Sequence, residues 1–385
     1  VRVVPTTEAY GVGGGNGHRP VPVRAVRPGS PRPPASLARI AAAVERRVDR
    51  VFEAELSRWA MVDPDLAVPF TALRDFVLAG GKRLRPAFCH WAFVGAGGDP
   101  SDRGVVDAGA ALELLHTFAL IHDDIMDGST TRRSIDTLHV LFEDRHALDG
   151  WRGEGRRFGE GVAILLGDLA FVYADRLLAG APPEALAVFT ELRLEVNVGQ
   201  YLDLVGASRG EVGEEAARRI SLFKSGKYTV ERPLHLGAAL AGRLGALADP
   251  LSRYGLPLGE AFQLRDDLLG VFGDGAVTGK PVGEDLREGK PTVLYAAARQ
   301  RAERAGRAGL AAARVLDRYG SPDLSDEDVM ALQAVLVDTG AVAQVERMID
   351  ELVEESLRAL DAAGLEPLAR VALGELAHYV AGRDR

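Results

Sequence analysis

The chain has 385 residues, 47% hydrophobic and 26% charged, a globular balance large enough for one big domain or two small ones. A net charge of −9 argues against a general nucleic-acid binder, because neutralising phosphates needs a basic field. The single cysteine, Cys89, excludes an intrachain disulfide, and no run of about 18 apolar residues marks a membrane anchor.

Residues 1–35 are rich in Gly, Pro and Arg and lack an apolar core. They are read as a disordered tail rather than a signal peptide, so a cytoplasmic protein is expected. Their GVGGGNG stretch does not fit a dinucleotide fingerprint. From Ser36, a plausible helix N-cap, Leu37, Ile40, Val44, Val48, Val51, Phe52 and Leu56 recur at three- and four-residue steps. Helical spacing then predicts helices near 68–79, 84–96, 102–127, 161–179, 182–205, 212–243 and 250–272. Further ones follow near 291–304, 308–319, 325–337, 340–362 and 366–381. Breaks fall at Gly and Pro clusters, and no convincing alternating strand appears. The segment 141–160, polar and Gly-rich, reads as a surface loop. Residues 36–385 are therefore expected to form a single all-α domain of many packed helices around a central cavity.

Residues 120–134 read LIHDDIMDGSTTRRS. Residues four apart on a helix lie about 40° apart around its axis, so Asp123 and Asp127 project together. A lone DDxxD is more often a solvated helix end. Here the preceding helix is apolar on most sides, which places it in the interior and opens its acidic end into a cavity. Hard oxygen ligands with one open side suit Mg²⁺, and Arg132 and Arg133 supply donors for a bound phosphate. A second cluster, FQLRDDLLGVFGD at 262–274, sets Asp266 and Asp267 in another amphipathic helix. Two such clusters about 140 residues apart suggest two walls of one metal-bridged cavity. Basic segments with glycines, GGKRLRP at 80–86, KSGKYT at 224–229 and GKPVGEDLREGKPT at 279–292, would supply cations for polyphosphate groups. GDGAVTGKP misses P-loop spacing, and no nucleophile–base pair is evident.

These motifs, with GQYLD at 199–203 and FQ at 262–263, resemble the trans-isoprenyl diphosphate synthases of the polyprenyl synthetase family, most closely geranylgeranyl diphosphate synthases, from about Leu37 onward. The resemblance implies head-to-tail condensation of isopentenyl diphosphate with allylic diphosphates of C5 to C15, and a homodimer. Three Mg²⁺ would be held by Asp123, Asp127 and Asp266. Arg132, Lys224 and Lys280 would grip the allylic diphosphate. Lys82, Arg85, His116 and Arg133 would hold isopentenyl diphosphate, with Lys290 closing over the site. Ser225 and Gln263 would line the reacting carbons. The chain departs from the family pattern at Gly270, where many members carry a third Asp, and in SIDT at 134–137.

In the family, residues just before the first Asp form the floor of the chain pocket. Ala119 is small and leaves the shaft open, whereas Phe118 could act as a partial floor, with Leu115 below. That pattern resembles a C20 product, geranylgeranyl diphosphate, ahead of farnesyl or longer chains. A class I terpene cyclase would need a different second motif, which is not found. A non-catalytic regulatory subunit would be expected to lose the acidic or basic residues, and these are retained.

Overall fold

The computed structural model describes residues 33–132, 135–209, 213–273, 283–321 and 323–382. The expected tail thus lies almost wholly outside the described residues. Helix α1 spans Ala35–Ala60. Ser36 does not cap it: the helix starts after Pro34, whose carbonyl accepts the Leu37 amide at 2.9 Å, and Ser36 lies inside the first turn. A 3₁₀ turn, Pro64–Leu66, leads into α2, Ala67–Leu78, and then α3, Leu84–Gly95.

Helix α4 covers Arg103–Asp127, capped at its start by the Asp102 side chain and at its end by Gly128 in the left-handed region at φ 67°. It is long and apolar enough by composition to cross a membrane, which the sequence reading did not register. Its apolar residues, Leu112, Leu114, Leu115 and Ile121, are instead fully buried in the protein core. Helices α1 and α3 pack around it, as do α6 (Gly155–Leu178) and α9 (Arg232–Leu240).

The segment read as a surface loop is a correction. Thr131–Arg132 (β1) pairs antiparallel with Ile135–Asp136 (β2), and α5, Leu138–Leu148, follows. Leu138, His139, Phe142 and His146 make its buried stripe at steps of one, three and four. Helix α6 begins already at Gly155 and runs to Leu178, and α7 spans Pro183–Arg209.

The single helix expected over 212–243 is three pieces: α8 (Glu214–Ser221), a π-helical segment (Leu222–Glu231) and α9 (Arg232–Leu240). Helix α10, Leu244–Phe272, starts six residues earlier than expected, so that Pro250, placed at the start of the expected helix, lies inside it together with Pro257. A short helix, α11 (Glu284–Glu288), escaped the sequence reading. Helices α12 (Val293–Arg304), α13 (Leu310–Leu316), α14 (Asp326–Asp338), α15 (Ala341–Asp361) and α16 (Pro367–Gly382) complete the chain. One buried apolar cluster runs from Leu37 to Val380. The π segment packs between α7 and α10, and α11 lies against α10.

Candidate active site

Two glycine contacts bring the walls together. A Cβ on Gly199 of α7 would come within 2.4 Å of the Lys224 amide nitrogen, so only glycine lets the π segment sit this close. On its other side, a Cβ on Gly259 of α10 would meet the Gly226 carbonyl oxygen at 2.5 Å. The extra residue per turn of a π-helix re-aims side chains locally and is often found at functional sites. Here it carries Lys224 and Ser225 into a cavity of about 720 Å³.

That cavity is lined by Lys82, Arg85, His116, Ala119, Asp123, Arg132, Lys224, Ser225, Gln263, Asp266 and Lys290. Thus residues from five separate stretches of sequence meet at one place. Arg133 and Lys280 lie outside the described residues. Asp127 is half-buried beside the cavity, within 3.8 Å of the Lys290 ammonium.

The acidic walls are crossed by cations. Lys224 Nζ donates to Asp203 Oδ2 at 2.6 Å and to Asp123 Oδ1 at 3.3 Å. Gln200 Nε2 donates to the same Asp123 oxygen at 2.9 Å. Lys290 Nζ lies 2.6 Å from Glu288 and 3.3 Å from Asp285. Burial works against the Asp123 charge, yet Lys224, Lys290 and Arg132 outweigh it and hold its carboxyl at about 2. Asp127 goes the other way: burial and the Asp123 charge push it up to about 6. Asp267 is pushed to about 8, first by burial and then by Asp285 and Asp266, while Gln263 donates to it at 2.7 Å. Both lysines are held protonated against burial by the carboxylates around them.

Arg132 turns out to be tied to Asp124, with Nε and Nη2 at 2.6 and 2.5 Å from Oδ1. Asp124 itself is buried, so the middle acid of the motif anchors the arginine. In the 80–86 segment, Arg83 is structural. It takes the left-handed region at φ 50° and pairs in the interior with Glu113 at 2.5 Å and Glu45 at 3.1 Å. Lys82 and Arg85 on either side of it line the cavity. Arg85 stacks over Tyr228 at 4.2 Å and donates to Thr229 at 3.0 Å, leaving its Nε buried without a hydrogen-bond partner. The Tyr228 hydroxyl meets His116 Nδ1 at 3.3 Å. An anion placed here would satisfy that orphaned donor.

Sequence reasoning missed the partners: Asp203, Gln200, Asp124, Thr229, Tyr228 and Asp285. All six lie inside segments singled out from the sequence, Gln200 and Asp203 within GQYLD, Tyr228 and Thr229 within KSGKYT, but their roles as partners were not read from them. Of the three expected floor residues, Ala119 lines the cavity. Leu115 is fully buried core, and the Phe118 ring packs on Phe171 of α6 at 4.9 Å and on His122 at 4.6 Å.

The site fits a divalent cation in a particular way. Among the described residues, no three His, Cys, Asp or Glu side chains are arranged to hold an ion alone. Asp127 Oδ2 is nonetheless buried and accepts no hydrogen bond. Carboxylate oxygens on two facing walls suit Mg²⁺, which keeps waters and shares substrate phosphate oxygens rather than sitting in an all-protein cage.

Comparison with known proteins agrees with this geometry. Residues 69–330 match the Polyprenyl synthetase family. The chain is 34% identical over 296 residues to a geranylgeranyl diphosphate synthase of Mycobacterium tuberculosis, covering 75% of this chain and 77% of the relative. It is 32% identical over 289 residues to a geranylfarnesyl diphosphate synthase of Aeropyrum pernix, covering 73% and 83%. Its fold superposes with a TM-score of 0.85 and 39% identity on a geranylgeranyl pyrophosphate synthase from Corynebacterium glutamicum complexed with isoprenyl diphosphate and magnesium, covering 90% of this chain and 99% of that one.

Proposed function

The chain belongs to the polyprenyl synthetase family and is a trans-prenyltransferase, and on that premise we propose how its own residues carry out the reaction and what it makes. One observation carries the reading. Lysines 224 and 290 stand in one cavity between the acidic end of α4 and the acidic face of α10.

In the proposed arrangement, Lys224, Arg132 and Lys280 orient the allylic diphosphate between the walls. Asp123, Asp127 and Asp266 would hold three Mg²⁺, which would supply positive charge to the departing diphosphate. Lys82, Arg85, His116 and Arg133 hold isopentenyl diphosphate, and Lys290 closes over both. The walls around the reacting carbons, including Val196, Ile220, Phe262 and Leu269, exclude water. Ser225 and Gln263 turn their dipoles toward the positive carbon. The C–O bond of the allylic diphosphate breaks, and the C=C of isopentenyl diphosphate forms the new C–C bond. The released diphosphate accepts the proton lost from the adjacent carbon, so no protein base is needed.

The proposed product is geranylgeranyl diphosphate, C20. Relatives span farnesyl, geranylgeranyl and geranylfarnesyl synthases, so the preference rests on Phe118 and Ala119. Residues 36–385 act as one catalytic domain in the cytoplasm. The proposed homodimer uses exposed apolar residues on α6 and α7, among them Leu165, Val172, Leu194, Val198 and Tyr201.

The test is incubation of the purified chain alone with Mg²⁺, isopentenyl diphosphate and separate C5, C10 and C15 starters. Consumption of isopentenyl diphosphate with a C20 end product is expected. A hydrocarbon formed from one substrate would indicate a cyclase, and no turnover without a partner would indicate a regulatory subunit.

A further inference from the structure

Gly270 stands one helical turn beyond Asp266 on α10, on nearly the same face. A Cβ at that position would come within 1.8 Å of Asp285 Oδ2 and 2.5 Å of its Cγ. The Asp285 carboxylate therefore occupies the space that any side chain at 270 would need. It is delivered by another element, α11, whose Leu286 is fully buried and fixes the short helix against the core. Asp266, Gly270 and Asp285 line the same cavity. Lys290 Nζ stands 3.3 Å from Asp285 Oδ1 and 3.8 Å from Asp127 Oδ2, so one ammonium links Asp285 to the opposite wall.

A carboxylate seated on a bare glycine inside an already acidic cavity is costly by charge repulsion. It is offset by Lys290 and would be offset further by a divalent cation. Asp285 could instead have served only as a lysine clamp, but Glu288 already fills that role at 2.6 Å. We propose that Asp285 supplies the acidic group that α10 lacks at position 270, so that the second wall is Asp266 with Asp285, and that this carboxylate helps hold the magnesium–diphosphate unit. The proposal rests on the reading of the cavity as a diphosphate site.

The full chain can be titrated with Mn²⁺ in the presence of inorganic pyrophosphate, followed by electron paramagnetic resonance. Asp285→Ala, and the volume-conserving Asp285→Asn, should weaken pyrophosphate-dependent Mn²⁺ binding about tenfold or more. Gly270→Ala should do the same, because its methyl evicts the Asp285 carboxylate. The transposed variant, Gly270→Asp with Asp285→Ala, should regain most of the loss. The proposal is overturned if Asp285→Asn, with an unchanged melting temperature, binds like the parent. It is equally overturned if the folded transposed variant is no better than Asp285→Ala. A parent protein that binds no Mn²⁺ with pyrophosphate would overturn the diphosphate reading itself, and the proposal with it.

Discussion

Gly199 on α7 lies directly against the backbone of Lys224, where a Cβ would stand 2.4 Å from the amide nitrogen and 2.6 Å from Cα. The reach of that lysine to Asp123 and Asp203 is thus set by a missing side chain on a neighbouring helix. Gly199→Ala should push the π segment away. Overpacking of this kind costs about 1–3 kcal/mol. Thermal melts should show the loss of stability, and kcat should fall by more than that loss of folded protein explains.

Lys224 and Arg85 serve different substrates in this account, so their losses should separate. Lys224→Gln leaves Asp123 and Asp203 without their shared ammonium and should lower kcat about 10²–10³-fold, by analogy with removing one charge-stabilising donor. Arg85→Gln should mainly raise KM for isopentenyl diphosphate. Steady-state kinetics with each substrate varied in turn checks the split.

Product length should respond at two neighbouring positions with opposite signs. Ala119→Phe fills the cavity wall and should shorten the end product to C15. Phe118→Ala removes the ring that packs on Phe171 and should lengthen it. Mass analysis of the dephosphorylated products reads both. Unchanged length in both variants would remove these residues from the floor.

Glu195 on α7 is buried and accepts from Arg232 at 2.6 and 2.7 Å and from Lys227. Burial raises its pKa, but the two cations prevail and hold the folded carboxyl below its usual 4.5. A depressed folded pKa contributes stability that is present above about 4.5 and is lost as pH falls through the folded value. Melting temperature should therefore drop on acidification below about pH 5 less steeply for Glu195→Gln than for the parent. At pH 7 the variant should be less stable by about 1–3 kcal/mol, since it leaves the two cations under-compensated.

Much of this molecule was legible because helix periodicity is a local signal. The stripe from Leu37 to Phe52 and the acidic ends at Asp123 and Asp266 came straight from spacing. What failed was also local. Helix α5 was missed because His139 and His146 complete its buried face, and histidines do not count in an apolar pattern. The helix expected over 250–272 starts six residues earlier, at Leu244, because a proline is favoured near a helix start and Pro250 was placed there, whereas it lies inside the helix. The π turn leaves no spacing signature distinct from an α-helix in so short a stretch. The partner residues were hidden for a different reason. Asp203, Asp285 and Thr229 matter only through contacts made across the fold, with Lys224, Gly270 and Arg85, and no single segment encodes them.

The central claim is that the two acidic walls act on one diphosphate. The direct measurement is a crystal structure with Mn²⁺ and the inert thiolo analogue of the C15 allylic diphosphate, using anomalous scattering to place the ions. The account predicts Mn²⁺ peaks at Asp123 and Asp127 and at Asp266, all bridged by the same diphosphate, with the hydrocarbon running past Ala119. Ions at only one wall, or a diphosphate bound away from Lys224, would contradict it.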